Sequence, residues 1–246
     1  MNIHNLPIDA IPNEAVVLAL GRRRSGKTTN IFSIMEKKKD VFDLVLVFCG
    51  SAATRLEYAK RVPRRFIYDE IKIDVLETLV KMQDKSVQDK KDVRNVCVVI
   101  DDCGFQTALL RKQIFRQLFQ NGRHYKIFLI LSLQYSLGVL PALRGQIDYV
   151  ICSQEKSVTY RKKIFEHYSI GFKSFKSFDQ VFLACTTNFE SFVIGVAASS
   201  SPEISKNIFF FRSTFPLPDF KMMAASWKRP RATAEDKKKK EIPVQF

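Results

Sequence analysis

Eight residues near the start of the chain, Gly21-Arg22-Arg23-Arg24-Ser25-Gly26-Lys27-Thr28, constrain the fold more than any other stretch. They spell G-x-x-x-x-G-K-[ST], a loop that wraps a phosphate with its backbone N–H groups. Glycine permits the positive-φ turns and the close backbone approach that such a loop needs. A lysine placed here reaches the β- and γ-phosphates, and the hydroxyl that follows ligates Mg²⁺. The context fits as well. Ala15–Leu20 is an apolar run of strand length, and residues 29–37 carry apolar side chains at helical spacing. The following helix aims its N-terminal N–H groups at the same anion. Gly21, Arg24, Ser25, Gly26, Lys27, Thr28 and Thr29 are therefore the candidate nucleotide-binding set, with ATP and Mg²⁺ as the expected cofactors.

The rest of the chain alternates in the same way. Buried-strand runs are expected at 44–49, 96–100, 127–133 and 149–152, with a short strand at 65–68. Helices are expected at 57–61, 74–82, 108–120, 158–167 and 175–185. Asp74 is placed to cap the second of these and Asn121-Gly122 to stop the third. Residues 83–95, charged and poor in apolar groups, read as an exposed loop. Segments 189–194 and 208–211 are candidates for a terminal strand pair. The order implies an α/β fold, a mostly parallel sheet flanked by helices with right-handed crossovers. Ligands in such folds bind beyond the carboxyl ends of the strands.

Two acids follow the run at 96–100 directly. Asp101 is expected to hold the Mg²⁺ shell opposite Thr28, and Asp102 to orient or deprotonate the attacking water. Ser132 and Gln134 close the 127–133 run, where an amide can sense the γ-phosphate and the attacking water. Arg123 precedes that run at its other end. It is either a finger acting on a neighbouring subunit's nucleotide or a surface arginine. Of the three arginines inside the loop, Arg24 is the favoured candidate for a phosphate contact within the same subunit.

Bulk properties narrow the partners. The net charge of +15 favours a polyanion such as nucleic acid. The hydrophobic content of 46% supports one well-buried domain, expected at 1–225. Residues 226–246, with Lys237–Lys240, read as a basic disordered tail. No apolar run has the ~18 residues of a membrane span, so no membrane insertion is expected. Five scattered cysteines suggest reduced thiols rather than disulfides or zinc.

Taken together, Gly21–Thr28, Val96–Asp102 with Cys103-Gly104, Asn121-Gly122-Arg123-His124-Tyr125 and Leu131-Ser132-Leu133-Gln134 resemble a known family. It is the genome-packaging ATPases of nucleocytoplasmic large DNA viruses, poxvirus-type members of the FtsK–HerA superfamily. The resemblance implies a P-loop NTPase of the additional-strand (RecA-like) type. In that fold the 127–134 strand lies between the P-loop strand and the Walker B strand. It also implies a homo-oligomeric ring that uses ATP to move double-stranded DNA into a capsid, with capsid or portal proteins as partners. The setting would be the virion and the infected cell. Lys27, Thr28, Asp101, Asp102 and Gln134 carry the family's roles. The arginine-packed loop and the Asp at the base position depart from the wider P-loop pattern. A small-molecule kinase and a nucleotide-gated scaffold are the alternatives.

Overall fold

The computed structural model describes residues 3–134, 138–197 and 203–223. The basic tail expected at 226–246 lies outside the described residues. Among the described residues nine strands form one sheet: β1 (His4–Asn5), β2 (Val16–Leu20), β3 (Leu44–Cys49), β4 (Ile67–Tyr68), β5 (Val96–Asp101), β6 (Ile127–Leu133), β7 (Tyr149–Cys152), β8 (Glu190–Gly195) and β9 (Ile208–Arg212). Their order across the sheet is β1-β9-β8-β7-β2-β6-β5-β3-β4. Strand β6 lies between β2 and β5, so the additional-strand arrangement is the observed one. Only β8 runs against the rest; it pairs antiparallel with both β7 and β9.

The central strands are buried on both faces, which is why they read as continuous apolar runs. Their two-residue period still sorts the side chains. Val16, Leu18, Leu20, Val96, Val98, Ile100, Ile127, Leu129 and Leu131 enter one core layer. Val17, Cys97, Val99, Phe128 and Ile130 enter the other. Helices α3 (Ile73–Gln88), α4 (Gln113–Asn121), α6 (Val158–Tyr168) and α7 (Phe175–Cys185) cover the first layer. There Phe178 sits among Phe165, Phe172, Phe182 and Phe192, with ring centroids 5.3–5.8 Å apart along the cluster. Helices α1 (Lys27–Lys37) and α2 (Ala52–Ala59) cover the second layer. A short α5 (Pro141–Arg144) and α8 (Ile204–Asn207) complete the set among the described residues.

Helix α1 is held from a distance. Asn30 Nδ2 donates to Ser191 Oγ at 2.9 Å, and Asn30 Oδ1 accepts from Ser213 Oγ. Ser33 Oγ accepts from the Thr214 N–H at 3.0 Å. The Arg61 guanidinium lies 4.4 Å from the Phe32 ring and 5.3 Å from the Phe220 ring, tying the same helix to the end of the described chain.

Four local expectations are corrected. The expected loop at 83–95 begins inside α3, which continues to Gln88. Gln83 is buried because its Nε2 donates to the Arg94 and Tyr125 carbonyls, both at 2.7 Å. Helix α3 begins at Ile73, so Asp74 stands in its first turn rather than capping it, where a carboxylate still favours the helix dipole. The helix expected at 108–120 is a 3₁₀ segment, Gly104–Arg111, followed by α4, with Lys112 extended between them. Helix α2 starts earlier than 57, at Ala52, because Ser51 Oγ accepts from the Thr54 N–H at 3.4 Å. Gly122 does end α4, but in right-handed backbone. Glycine is needed there because a Cβ would lie 2.4 Å from the Leu118 carbonyl oxygen.

Candidate nucleotide-binding site

Strands β2, β5, β6 and β7 point their carboxyl ends at one edge, and the predicted residues gather there. The loop from Gly21 leaves β2 and turns into α1 at Gly26, whose φ is 93°. Arg24 is also left-handed, at φ 62°. At Gly21 a Cβ would meet Ser25 Oγ at 2.4 Å and Ser153 Cβ at 3.0 Å, so only glycine lets the loop fold against β7. Lys27 curls back over this loop. Its Nζ donates to the Gly21 and Arg22 carbonyls, both at 2.8 Å. Burial lowers the Lys27 pKa, and the nearby Asp101 and Asp102 carboxylates oppose that shift.

The second half of the site arrives on β5. Asp101 is 1% exposed, and its Oδ2 accepts from Thr28 Oγ1 at 3.0 Å and from the Tyr58 hydroxyl at 3.1 Å. These contacts join residues 73 and 43 positions apart in sequence. Burial and the Asp101 charge push the Tyr58 hydroxyl well above its ordinary range, so it stays protonated and donates. Asp102 follows with φ 54°, a left-handed conformation that costs a non-glycine residue of order 1–3 kcal/mol. Strain at this point sets the second carboxylate apart from the buried Asp101.

Gln134, at the end of β6, lines a cleft of about 20 Å³ with Gly21, Ser153, Glu155 and Tyr160. That is room for one water. Three buried hydroxyls at this edge, Ser25, Ser132 and Ser153, have no hydrogen-bond partner among the described residues. Thr29 lies in the first turn of α1, half-buried.

Sequence reasoning missed two groups here. Tyr58 comes from α2 and Glu155 from the segment after β7. Glu155 is buried; its Oε1 accepts from the Ser157 N–H at 2.7 Å and meets Arg22 Nε at 3.3 Å. Arg22, not Arg24, is thus the loop arginine with a fixed partner. Glu155 carried a usable signal: it lies just beyond a predicted strand, at the ligand-binding edge. Tyr58 carried none, because its role depends on Asp101.

Arg123 is not brought to this cluster. It stands at the opposite edge of the sheet, ion-paired with the buried Asp148, whose Oδ2 accepts from the Val16 N–H at 2.8 Å. All five cysteines are free and buried. Burial, with the neighbouring carboxylates, pushes the Cys49 and Cys103 thiols up to about 12, so neither is a nucleophile near neutral pH. Among the described residues no group of three or more His, Cys, Asp and Glu forms a protein-only metal site. No helix among them is long and apolar enough to cross a membrane.

The sequence pattern of the family described as "Poxvirus A32 protein" matches residues 11–176. The chain belongs to that family. It is 26% identical over 206 residues to the uncharacterized protein 088R of Invertebrate iridescent virus 3, spanning 83% of this chain and 78% of the relative. Its fold is similar to that of the genome packaging NTPase B204 from Sulfolobus turreted icosahedral virus 2, solved in complex with AMP. The TM-score is 0.56 at 17% identity, over 83% of this chain and all of B204. B204 has also been solved with AMPPCP and with ATP-gammaS. The pCW3 conjugation coupling protein TcpA, in its monomer form with ATPgS, matches at TM-score 0.54 and 14% identity, over 82% of this chain and 60% of TcpA. Such distant likeness establishes the shared P-loop fold.

Proposed function

We propose that this member of the A32 family is an ATPase that drives viral double-stranded DNA into the capsid, working as a ring of identical subunits. The observation that carries the reading is the Thr28–Asp101 contact, with Lys27 beside it. It unites the P-loop hydroxyl, the P-loop lysine and the carboxylate that ends β5 at one point. Family membership and the packaging role of B204 support the DNA-packaging part.

The residues fit a nucleoside triphosphate with Mg²⁺. Gly21 adds no side chain of its own to the loop, Ser25 holds a buried hydroxyl with no partner among the described residues, and α1 begins at Lys27, where the first-turn N–H groups have no partner within the helix. Bound ATP–Mg²⁺ would supply the phosphoanhydride and the cation that balances its charge. Gly21–Thr29 would hold the phosphates, and Lys27 would exchange its two carbonyl partners for them. Thr28 and Asp101 would hold the cation, and Tyr58 keeps the Asp101 carboxylate oriented. Asp102 would take the proton of the attacking water, and Gln134 would position that water beside the loop. For Arg123, the ion pair with Asp148 favours a structural role over a finger acting on a neighbouring subunit, because that action would require releasing a buried carboxylate.

The test is ATP hydrolysis by the full chain with and without long double-stranded DNA, beside Lys27→Ala and Asp102→Asn. DNA-stimulated turnover, reduced by about two to three orders of magnitude in both variants, is the expected result. Binding of ATP with slow, DNA-indifferent hydrolysis would replace the motor with a nucleotide-gated scaffold. Transfer of the γ-phosphate to a nucleoside or small metabolite would replace it with a kinase.

A further inference from the structure

The segment that leaves the metal-binding carboxylates carries a second feature that the nucleotide site does not use. From Cys103 to Ile147 the chain has 45 residues without a single Asp or Glu, while Arg111, Lys112, Arg116, Arg123, Lys126 and Arg144 lie within it. It is the longest acid-free run in a chain that holds 25 acids, and, with histidine neutral, every charge within it is positive.

Helix α4 sorts this stretch into two faces. Ile114, Phe115, Leu118 and Phe119 are buried against the sheet. The other face presents Gln113, Arg116, Gln117 and Gln120, at i, i+3, i+4 and i+7. With Arg111 these residues line a surface cleft of about 400 Å³. Every side chain in that lining offers N–H donors, and none is an acid. Neither arginine makes an ion pair or hydrogen bond among the described residues, whereas Arg22, Arg55, Arg61, Arg123, Arg144, Arg161 and Arg212 do. Unpaired guanidinium groups flanked by amides are a donor set for phosphate oxygens. The stripe from Gln113 to Gln120 is about 10 Å long at 1.5 Å per residue. One strand of a duplex presents about three phosphates over that axial length.

We propose that Arg111, Arg116 and the glutamine stripe of α4 are a contact surface for the phosphate backbone of duplex DNA. The proposal rests on the packaging reading given above. It adds where the polyanion is held: on the helix reached from Asp101 and Asp102 through one 3₁₀ segment, Gly104–Arg111. The surface reads no sequence, since arginine and glutamine here meet phosphates and not base edges.

The test is fluorescence anisotropy of a labelled 30-base-pair duplex, titrated with the full chain at several salt concentrations. Wild type is compared with Arg111→Ala/Arg116→Ala. A matched control, Lys173→Ala/Lys176→Ala, removes the same charge from exposed lysines of α7 and the turn before it. The arginine variant should bind at least tenfold more weakly at low salt. Its slope of log K against log salt should be shallower by about two, close to 0.9 per lost phosphate contact. The lysine control should keep the wild-type slope, and all three proteins should bind a fluorescent ATP analogue equally. Wild-type binding with the same slope in the arginine variant overturns the surface while leaving the packaging reading intact. An equal loss in the lysine control overturns it too, because charge alone would then account for binding. Failure of the wild type to bind the duplex at any salt overturns both. A surface that binds an acidic protein but not the duplex would show the same failure.

Discussion

The two edges of the sheet are built from the same strands and finished in opposite ways. At the amino edge, polar groups are tied off. Asp148 takes the Val16 N–H and Arg123, Asp43 takes the Asn95 N–H at 2.9 Å, and Gln83 bridges the Arg94 and Tyr125 carbonyls. At the carboxyl edge, three buried serine hydroxyls lack partners among the described residues, Lys27 rests on its own loop, and Arg24 and Asp102 hold left-handed backbone. One edge spends its polar groups on stability. The other keeps them available for a ligand, which is where strain and unsatisfied groups are expected to collect.

Substitutions should therefore separate the two edges. The largest effect is expected for Asp102→Asn, with ATP turnover down by about two to three orders of magnitude. Its melting temperature should hold or rise, since asparagine tolerates left-handed backbone at least as well as aspartate. A large loss of stability in this variant would break the comparison. At the amino edge Asp148→Ala should do the reverse. Urea unfolding should show a loss of about 1–3 kcal/mol, because the Val16 N–H is orphaned in the core. Binding of a fluorescent ATP analogue should persist below the transition. Glu155→Gln sharpens the carboxyl edge itself. It releases Arg22 and removes a buried negative charge beside the loop, so nucleotide affinity in a titration should rise about three- to tenfold. The smallest effect is on pH dependence. Burial holds the Lys27 pKa below that of an ordinary lysine, so the charged form is complete at low pH and is lost as pH rises through the lowered value. Nucleotide affinity should start to fall at a lower alkaline pH than an exposed lysine would give, and Lys27→Arg should remove that fall.

How much of this was legible in the sequence follows from how far apart the partners lie. The P-loop and the Asp101-Asp102 pair were readable because phosphate and cation chemistry fix residue types at fixed spacing. The inserted position of β6 came only through resemblance, since apolar runs do not state their order in a sheet. Asp148 was invisible because its partner, the Val16 N–H, is 132 positions away. The tail of α3 looked like a loop because Gln83 is polar, and its burial depends on carbonyls that only the fold brings near. The break at Lys112 was hidden by apolar spacing that suits a 3₁₀ segment and an α-helix alike. Arg22 rather than Arg24 holds a partner for the same reason: Glu155 lies on the far side of β7 in sequence and next to the loop in space.

The bonds from Asn30 and Ser33 to Ser191, Ser213 and Thr214 set an order of events during synthesis. Domains begin to fold as they leave the ribosome, from the amino end. The helix that bears Lys27 and Thr28 is made early, yet the side chains of two of its buried polar residues wait for partners that lie 161 to 183 positions further along the chain. The nascent chain can assemble its central strands, with the phosphate loop already tied to β6 and Thr28 to Asp101, while the body of the helix still lacks the polar partners that only β8 and the residues just after β9 provide.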